Sequence, residues 1–159
     1  MTQNRGQTTV LAAWQRLEGK PFGKTLFSRA ICFKAPYFGT ISPRFVELRP
    51  GFARVAMRKR RAVQNHIGTV HAIAMCNLAE IAAGTLTEAS IPASMRWLPK
   101  GMTVEYLKKA ETDVEAIATL PHVDEGGGRD VPATVEIKDS GGVVVCRAVI
   151  TMWVSPRKK

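Results

Sequence analysis

Read along the chain, apolar and polar positions change their period several times. Val10, Leu11, Trp14 and Leu17 recur at helical spacing behind Thr8 and Thr9, and Gly19 and Pro21 follow. That pattern predicts a short N-terminal helix. Residues 20–43 are rich in aromatics and turn formers without a clean period, which predicts irregular cover over a core. From Phe45 the period becomes two. Val46 and Leu48 alternate with Glu47 and Arg49, Pro50-Gly51 turns the chain, and Ala53, Val55 and Met57 continue the alternation. This predicts a hairpin with one wet face, ending in Arg58-Lys59-Arg60-Arg61.

Residues 70–83 hold no Gly, no Pro and many helix formers, with Thr69 placed as a cap and Gly84 as a stop. The segment is apolar on nearly every side, so a helix there must be surrounded by protein. It would be about 21 Å long, too short to cross a bilayer. Alternation returns at Met102/Val104/Tyr106, Val114/Ala116/Ala118 and Ala133/Val135/Ile137, and a long apolar strand runs from Val143 to Val154. Residues 121–132 read as a polar loop and Asp139-Ser140-Gly141-Gly142 as a hairpin turn. Residues 1–7 and 156–159 read as disordered tails. One buried helix among so many antiparallel strands predicts an α+β fold, a curved sheet wrapped around a central helix. The length of 159 residues suits one domain.

Charge adds a second layer. The net charge is +10. Residues 1–61 hold 13 Lys/Arg against 2 acids, and residues 62–159 hold 10 against 11, so one end of the chain carries the whole excess. Such asymmetry suggests an anionic partner (nucleic acid, a membrane surface or a phosphate-bearing ligand) or simply a well-solvated basic surface. Cys32, Cys76 and Cys146 are an odd number without a C-x-x-C spacing, which suits free thiols in a reducing cytoplasm. The start lacks the apolar core of a secretory signal, and no apolar run reaches the ~18 residues of a membrane span.

Several chemistries are excluded by pattern. G-x-S-x-G, a P-loop and a dinucleotide fingerprint are absent. His66 and His71 are five apart, a poor spacing for two metal ligands on one helix face, and no metal site is expected. The run Asn65-His66-Ile67-Gly68-Thr69-Val70-His71-Ala72, leading into Leu78-Ala79-Glu80, remains. A helix start offers outward N–H groups suited to an oxygen that gains negative charge. Gly68 permits a tight turn, and Asn65 can donate and accept beside it. Glu80 is a carboxylate in an apolar helix, so it either serves a site or reaches an Arg of the hairpin as a structural pair.

The spacing Asn-x-x-Gly-x-x-His-(x)8-Glu, from Asn65 to Glu80, resembles that of hotdog-fold acyl-CoA thioesterases. It is most similar to the group containing the phenylacetate-pathway and one class of 4-hydroxybenzoyl-CoA thioesterases, and within it to a less characterised subfamily. The resemblance spans the hairpin at 45–58 to the strand at 143–154 and implies the hotdog fold. It places Glu80 on the catalytic acid, Asn65 on the polar residue that positions water or thioester, and His71 on the motif histidine. Ala72 falls on the first motif glycine, whose N–H polarises the carbonyl. Ala72-Ile73 stands where Gly-Gly is usual, and Gly84 lacks the hydroxyl some members carry there. No cofactor is implied; coenzyme A enters only as part of the substrate, its phosphates facing Arg60 and Arg61.

The expected activity is acyl-CoA thioester hydrolysis. The alternatives are a hotdog protein that binds acyl-CoA or a fatty-acyl group without turnover and, further off, a nucleic-acid-binding module. The expected partners are acyl-CoA and further copies of the chain, with no nucleic acid and no membrane. Ala72 and Glu80 lie about 12 Å apart along one helix, so a single chain struggles to bring both to one reacting centre. A two-fold dimer, or a dimer of dimers, with shared sites follows as an expectation.

Overall fold

The computed structural model describes residues 8–158. Two helices open the fold, α1 (Thr9–Leu17) and α2 (Gly23–Lys34), followed by a 3-10 turn (Pro36–Ile41). The hairpin β1 (Arg44–Arg49) and β2 (Phe52–Met57) comes next, then α3 (Ala72–Ser90). The strands β3 (Met95–Tyr106), β4 (Val114–Thr119), β5 (Arg129–Asp139) and β6 (Val144–Pro156) complete the chain. All six strands form one antiparallel sheet in the order β1-β2-β4-β5-β6-β3.

The period-two pattern sets the inner face of this sheet. Ala53, Val55 and Met57 of β2, Ala116 and Ala118 of β4, Ala133, Val135 and Ile137 of β5, and Ala148, Ile150 and Met152 of β6 are all buried. They meet Leu78, Ala79, Ile81, Ala82 and Leu86 of α3 in one core. α3 touches every strand. A sheet of six strands is about 24 Å wide and a helix about 10–12 Å across, so contact with all six requires the sheet to curl around the helix. This is the hotdog fold expected from the sequence.

The boundaries of α3 differ from those expected. It starts at Ala72, capped by His71 rather than Thr69, and runs through Gly84 to Ser90. Gly84 is no stop: a Cβ there would lie 2.8 Å from the Trp97 ring, so glycine serves close packing against β3. The polar residues of the last turns return their hydroxyls to the helix, Thr87 to Ala83 O at 2.7 Å and Ser90 to Leu86 O at 2.6 Å. That satisfies them inside an apolar core.

The stretch 20–43 is also corrected, since α2 occupies much of it. Its period was hidden because apolar residues stand on two sides: Phe27 points into the core while Phe22 and Phe33 point out. Trp14, Phe27 and Phe45 form an edge-to-face ladder with centroids 5.1 Å apart at each step, tying α1 and α2 to β1. Of the expected disordered tails, residues 1–7 and 159 lie outside the described residues. Pro156 closes β6 and Arg157 is held, its N–H by Ser94 O at 2.9 Å and its Nε–H by Ala93 O at 3.1 Å.

Candidate active site

The turn before α3 is assembled around Asn65. Its Oδ1 accepts the N–H groups of Ile67 and Thr69, each at 3.1 Å, and its Nδ2 donates to Thr69 Oγ1 at 2.8 Å. Gly68 supplies the left-handed backbone, φ +79, that closes the loop. The flanks are pinned by Val70 N–H to Ala110 O and His71 N–H to Val63 O, both 2.8 Å. His71 Nδ1 then accepts the Ile73 N–H at 3.0 Å. After this capping, the N–H of Ala72, the first helical residue, has no partner among the described residues. Ala72 thus keeps an open donor at the positive end of a 19-residue helix.

Glu80 stands two turns further along α3 and is half-buried. It forms neither a hydrogen bond nor an ion pair among the described residues, so the alternative of a structural pair with a hairpin arginine is not realised. Its side chain borders a cavity of about 470 Å³ between α2, α3 and β3, whose walls include Ile31, Phe38, Gly84, Trp97 and Pro99. It also borders a smaller recess along β3 with Lys100, Gly101 and Met102. The cavity's far end is braced by Glu88, which accepts Trp97 Nε1–H at 2.7 Å and faces Arg157 at 3.7 Å.

Two neighbouring titratable groups stay protonated at neutral pH. Tyr106 is pushed up to about 12, first by its hydrogen bond to Cys76, whose Sγ lies 3.0 Å from Tyr106 Oη. Burial, then the Cys76 charge, raises Cys146 to about 11.

The basic run is divided. Arg60 donates through one guanidinium nitrogen to Thr40 O at 2.7 Å and to Ser42 Oγ at 3.1 Å, holding the 3-10 turn. Arg61 is exposed at the start of a second 3-10 turn, and Arg58 lines a separate groove beside α2. The fold thus joins Asn65, His71 and Ala72 in one turn, sets Glu80 about 12 Å away along the helix, and assigns Arg60 a structural bond. Sequence reasoning missed Trp97, Glu88 and Arg157. The one available signal was a glycine inside an apolar helix, which asks for a large neighbour.

Comparison with known proteins agrees with the fold. A crystal structure described only as a genomics target is 49% identical, covers 93% of this chain and 99% of its own, and superimposes with a TM-score of 0.80. A Pseudomonas aeruginosa protein of unknown function, described as a probable thioesterase, is 23% identical over 84% of this chain and 96% of its own, with a TM-score of 0.73. A thioesterase from Haemophilus influenzae shares 13% identity over 86% of this chain and 93% of its own, also at 0.73. At those identities the last two share the fold. No curated protein matches the chain. The family described as a domain of unknown function (DUF4442) matches residues 23–154, from the first residue of α2 to within two residues of the end of β6, and this hotdog chain belongs to it.

Proposed function

We propose that the chain is a hydrolase of acyl-CoA thioesters acting at a site shared by two copies. The observation that carries this reading is a pair of uncommitted groups on one helix. Ala72 keeps an open N–H, and Glu80 presents an unpaired carboxylate to a cavity of about 470 Å³ with mostly apolar walls and Lys34, Thr85, Glu88 and Arg157 among its lining. Solved structures of the same fold that are described as thioesterases support it. The acyl group would occupy the cavity, with coenzyme A outside.

In the reaction, Glu80 removes a proton from water as its oxygen attacks the thioester carbonyl carbon. The carbonyl oxygen becomes an oxyanion on the Ala72 N–H of the second copy. Collapse breaks the C–S bond, the thiolate takes the proton back from Glu80, and a carboxylic acid and coenzyme A leave. In a nucleophilic variant the Glu80 carboxylate attacks the carbonyl carbon directly, the C–S bond breaks and coenzyme A thiolate leaves a mixed anhydride; water then cleaves the anhydride to the carboxylic acid and free Glu80 carboxylate, its other proton going to the thiolate. Single turnover in oxygen-labelled water separates the two, because only the anhydride route can leave label in Glu80.

The dimer answers the separation of about 12 Å. β3 is an edge strand carrying exposed Leu98, Met102 and Tyr106, a surface suited to a second copy. Three free cysteines suit a reducing cytoplasm. The test is thiol release from a panel of acyl-CoAs by wild type and Glu80→Gln. Release by wild type alone supports the assignment; binding without release by either returns the non-catalytic reading. Mixing inactive Glu80→Gln chains with inactive Asn65→Ala chains tests the sharing. Recovery toward half the wild-type rate per heterodimer is expected, and none after verified exchange places both residues in one chain.

A further inference from the structure

One ridge of α2 is left uncovered among the described residues. Phe22 and Phe33 are 88% and 90% exposed, and Leu26 is exposed between them. At about 100° per residue, Leu26, Arg29 and Phe33 fall within about 60° of one another on the helix. Phe27 and Ser28 hold the opposite side against the core. Phe22 is fixed outward by its backbone. It caps α2 in the left-handed region at φ 58, and the following Gly23 sits where a Cβ would meet Leu17 O at 1.8 Å. Aromatic rings thus project from both ends of a helix about 18 Å long.

Charge beside this ridge is unbalanced. Residues 19–46 contain five Lys/Arg and no acid. Arg29 of α2, Arg44 of β1 and Arg58 just after β2 line a groove of about 970 Å³ alongside the ridge, together with Phe33. None of the three guanidinium groups has a partner among the described residues. Asp113, the acid in the groove's wall, already accepts the Lys59 N–H at 2.8 Å. A second copy of this chain, at +10, would set these arginines against their equivalents, so charge disfavours it as the occupant.

We propose that α2 docks the protein on an anionic phospholipid surface. Phe22, Leu26 and Phe33 enter the boundary between headgroups and acyl chains, and Arg29, Arg44 and Arg58 receive lipid phosphates. The helix lies in the interface; among the described residues no helix is long and apolar enough to cross a membrane. The sequence expectation of no membrane partner rests on that missing span, and an interfacial helix needs none.

The experiment is co-sedimentation of the full chain with phosphatidylcholine vesicles and with equal mixtures of phosphatidylcholine and phosphatidylglycerol, at low and high salt. No acyl-CoA is present, so the outcome is independent of the hydrolytic reading. The chain is expected to pellet with the mixed vesicles, to remain behind with phosphatidylcholine alone, and to be released by salt. Phe22→Ser with Phe33→Ser should weaken binding at least about tenfold, and Arg29→Glu with Arg44→Glu by a similar factor. Should the double phenylalanine variant melt early, Phe33→Ser alone carries the same test. Failure to bind mixed vesicles overturns the proposal, as does binding that survives loss of the phenylalanines. A fall in oligomer size in the Phe33→Ser variant also overturns it, since the ridge would then be covered by a second copy.

Discussion

The turn from Asn65 to His71 and the helix around Glu80 treat their polar groups in opposite ways. Asn65 spends both amide ends on the backbone and hydroxyl of its own loop, and His71 spends Nδ1 on the Ile73 N–H. Glu80, half-buried beside a mostly apolar cavity, has no hydrogen bond or ion pair among the described residues. A side chain whose hydrogen bonds are used within the fold shapes the site. A half-buried carboxylate with none carries a cost to stability and remains available for chemistry. The two ends of the Asn65-to-Glu80 spacing are therefore used differently: one holds the helix start so that the Ala72 N–H stays open, the other is left uncommitted and is the group we propose to react.

Glu80→Gln gives the largest effect and tests the reactive end. It keeps shape and removes charge and basicity, so turnover should fall by about a hundred- to ten-thousandfold. The melting temperature should move by no more than about 2 °C, because no native partner is lost. Thiol-release rates and thermal melts on the same preparation check both. Early melting with full specific activity would reverse the contrast and make Glu80 structural.

Asn65→Ala tests the shaping end. Removing three hydrogen bonds should cost about 1–3 kcal/mol, a fall of roughly 2–10 °C, with activity lost because the helix start loosens. Asn65→Asp is the sharper variant. Its carboxylate can still accept from Ile67 and Thr69, so most of the stability should return. Activity that returns with stability marks a positioning residue. Stability without activity would mean that the amide also touches substrate.

Gly84→Ala carries the comparison into the cavity wall. The added methyl would sit 2.8 Å from the end of the Trp97 ring, which Glu88 holds through Nε1. Overpacking of this kind costs about 1–3 kcal/mol. A ring that moves instead enters the cavity Glu80 borders, so the substrate preference should shift toward shorter acyl groups, read from kcat/KM across a chain-length series.

Much of this was legible in the sequence, and unevenly. The hairpin at 45–58 and the strands β4 and β5 followed from alternation because one face of each meets the core, and β6 followed from its long apolar run. The central helix was readable from its apolar run, but its end was not. Gly84 and the hydroxyls of Thr85, Thr87 and Ser90 imitate a stop, and only the tertiary contact with Trp97 and the i−4 hydrogen bonds show otherwise. α2 was unreadable because its two apolar sides cancel its period, one serving the core through Phe27 and one facing out through Phe33. At the site, spacing marked Asn65, His71, Ala72 and Glu80. Spacing alone does not distinguish a committed side chain from a free one, since the partners of Asn65 are largely backbone groups.

The smallest expected effect separates two adjacent arginines. Arg60 and Arg61 looked equivalent as phosphate ligands, but Arg60 already donates to Thr40 O and Ser42 Oγ, while Arg61 is exposed without a partner among the described residues. Breaking the Arg60 bonds leaves two acceptors near the surface, where water replaces the donor, so Arg60→Ala should cost about 1 kcal/mol and lower the melting temperature by a few degrees. It should leave KM for acyl-CoA nearly unchanged. Arg61→Ala should do the reverse, holding the melting temperature and raising KM about two- to fivefold, with kcat intact. A phosphate contact far from the scissile bond is the same in ground and transition state, so its loss appears in KM alone. The rise should shrink with added salt, as a solvent-exposed pairing is screened. If Arg60→Ala raises KM and Arg61→Ala does not, the phosphates lie toward the 3-10 turn at Thr40. If neither changes it, coenzyme A approaches from another side of the helix start.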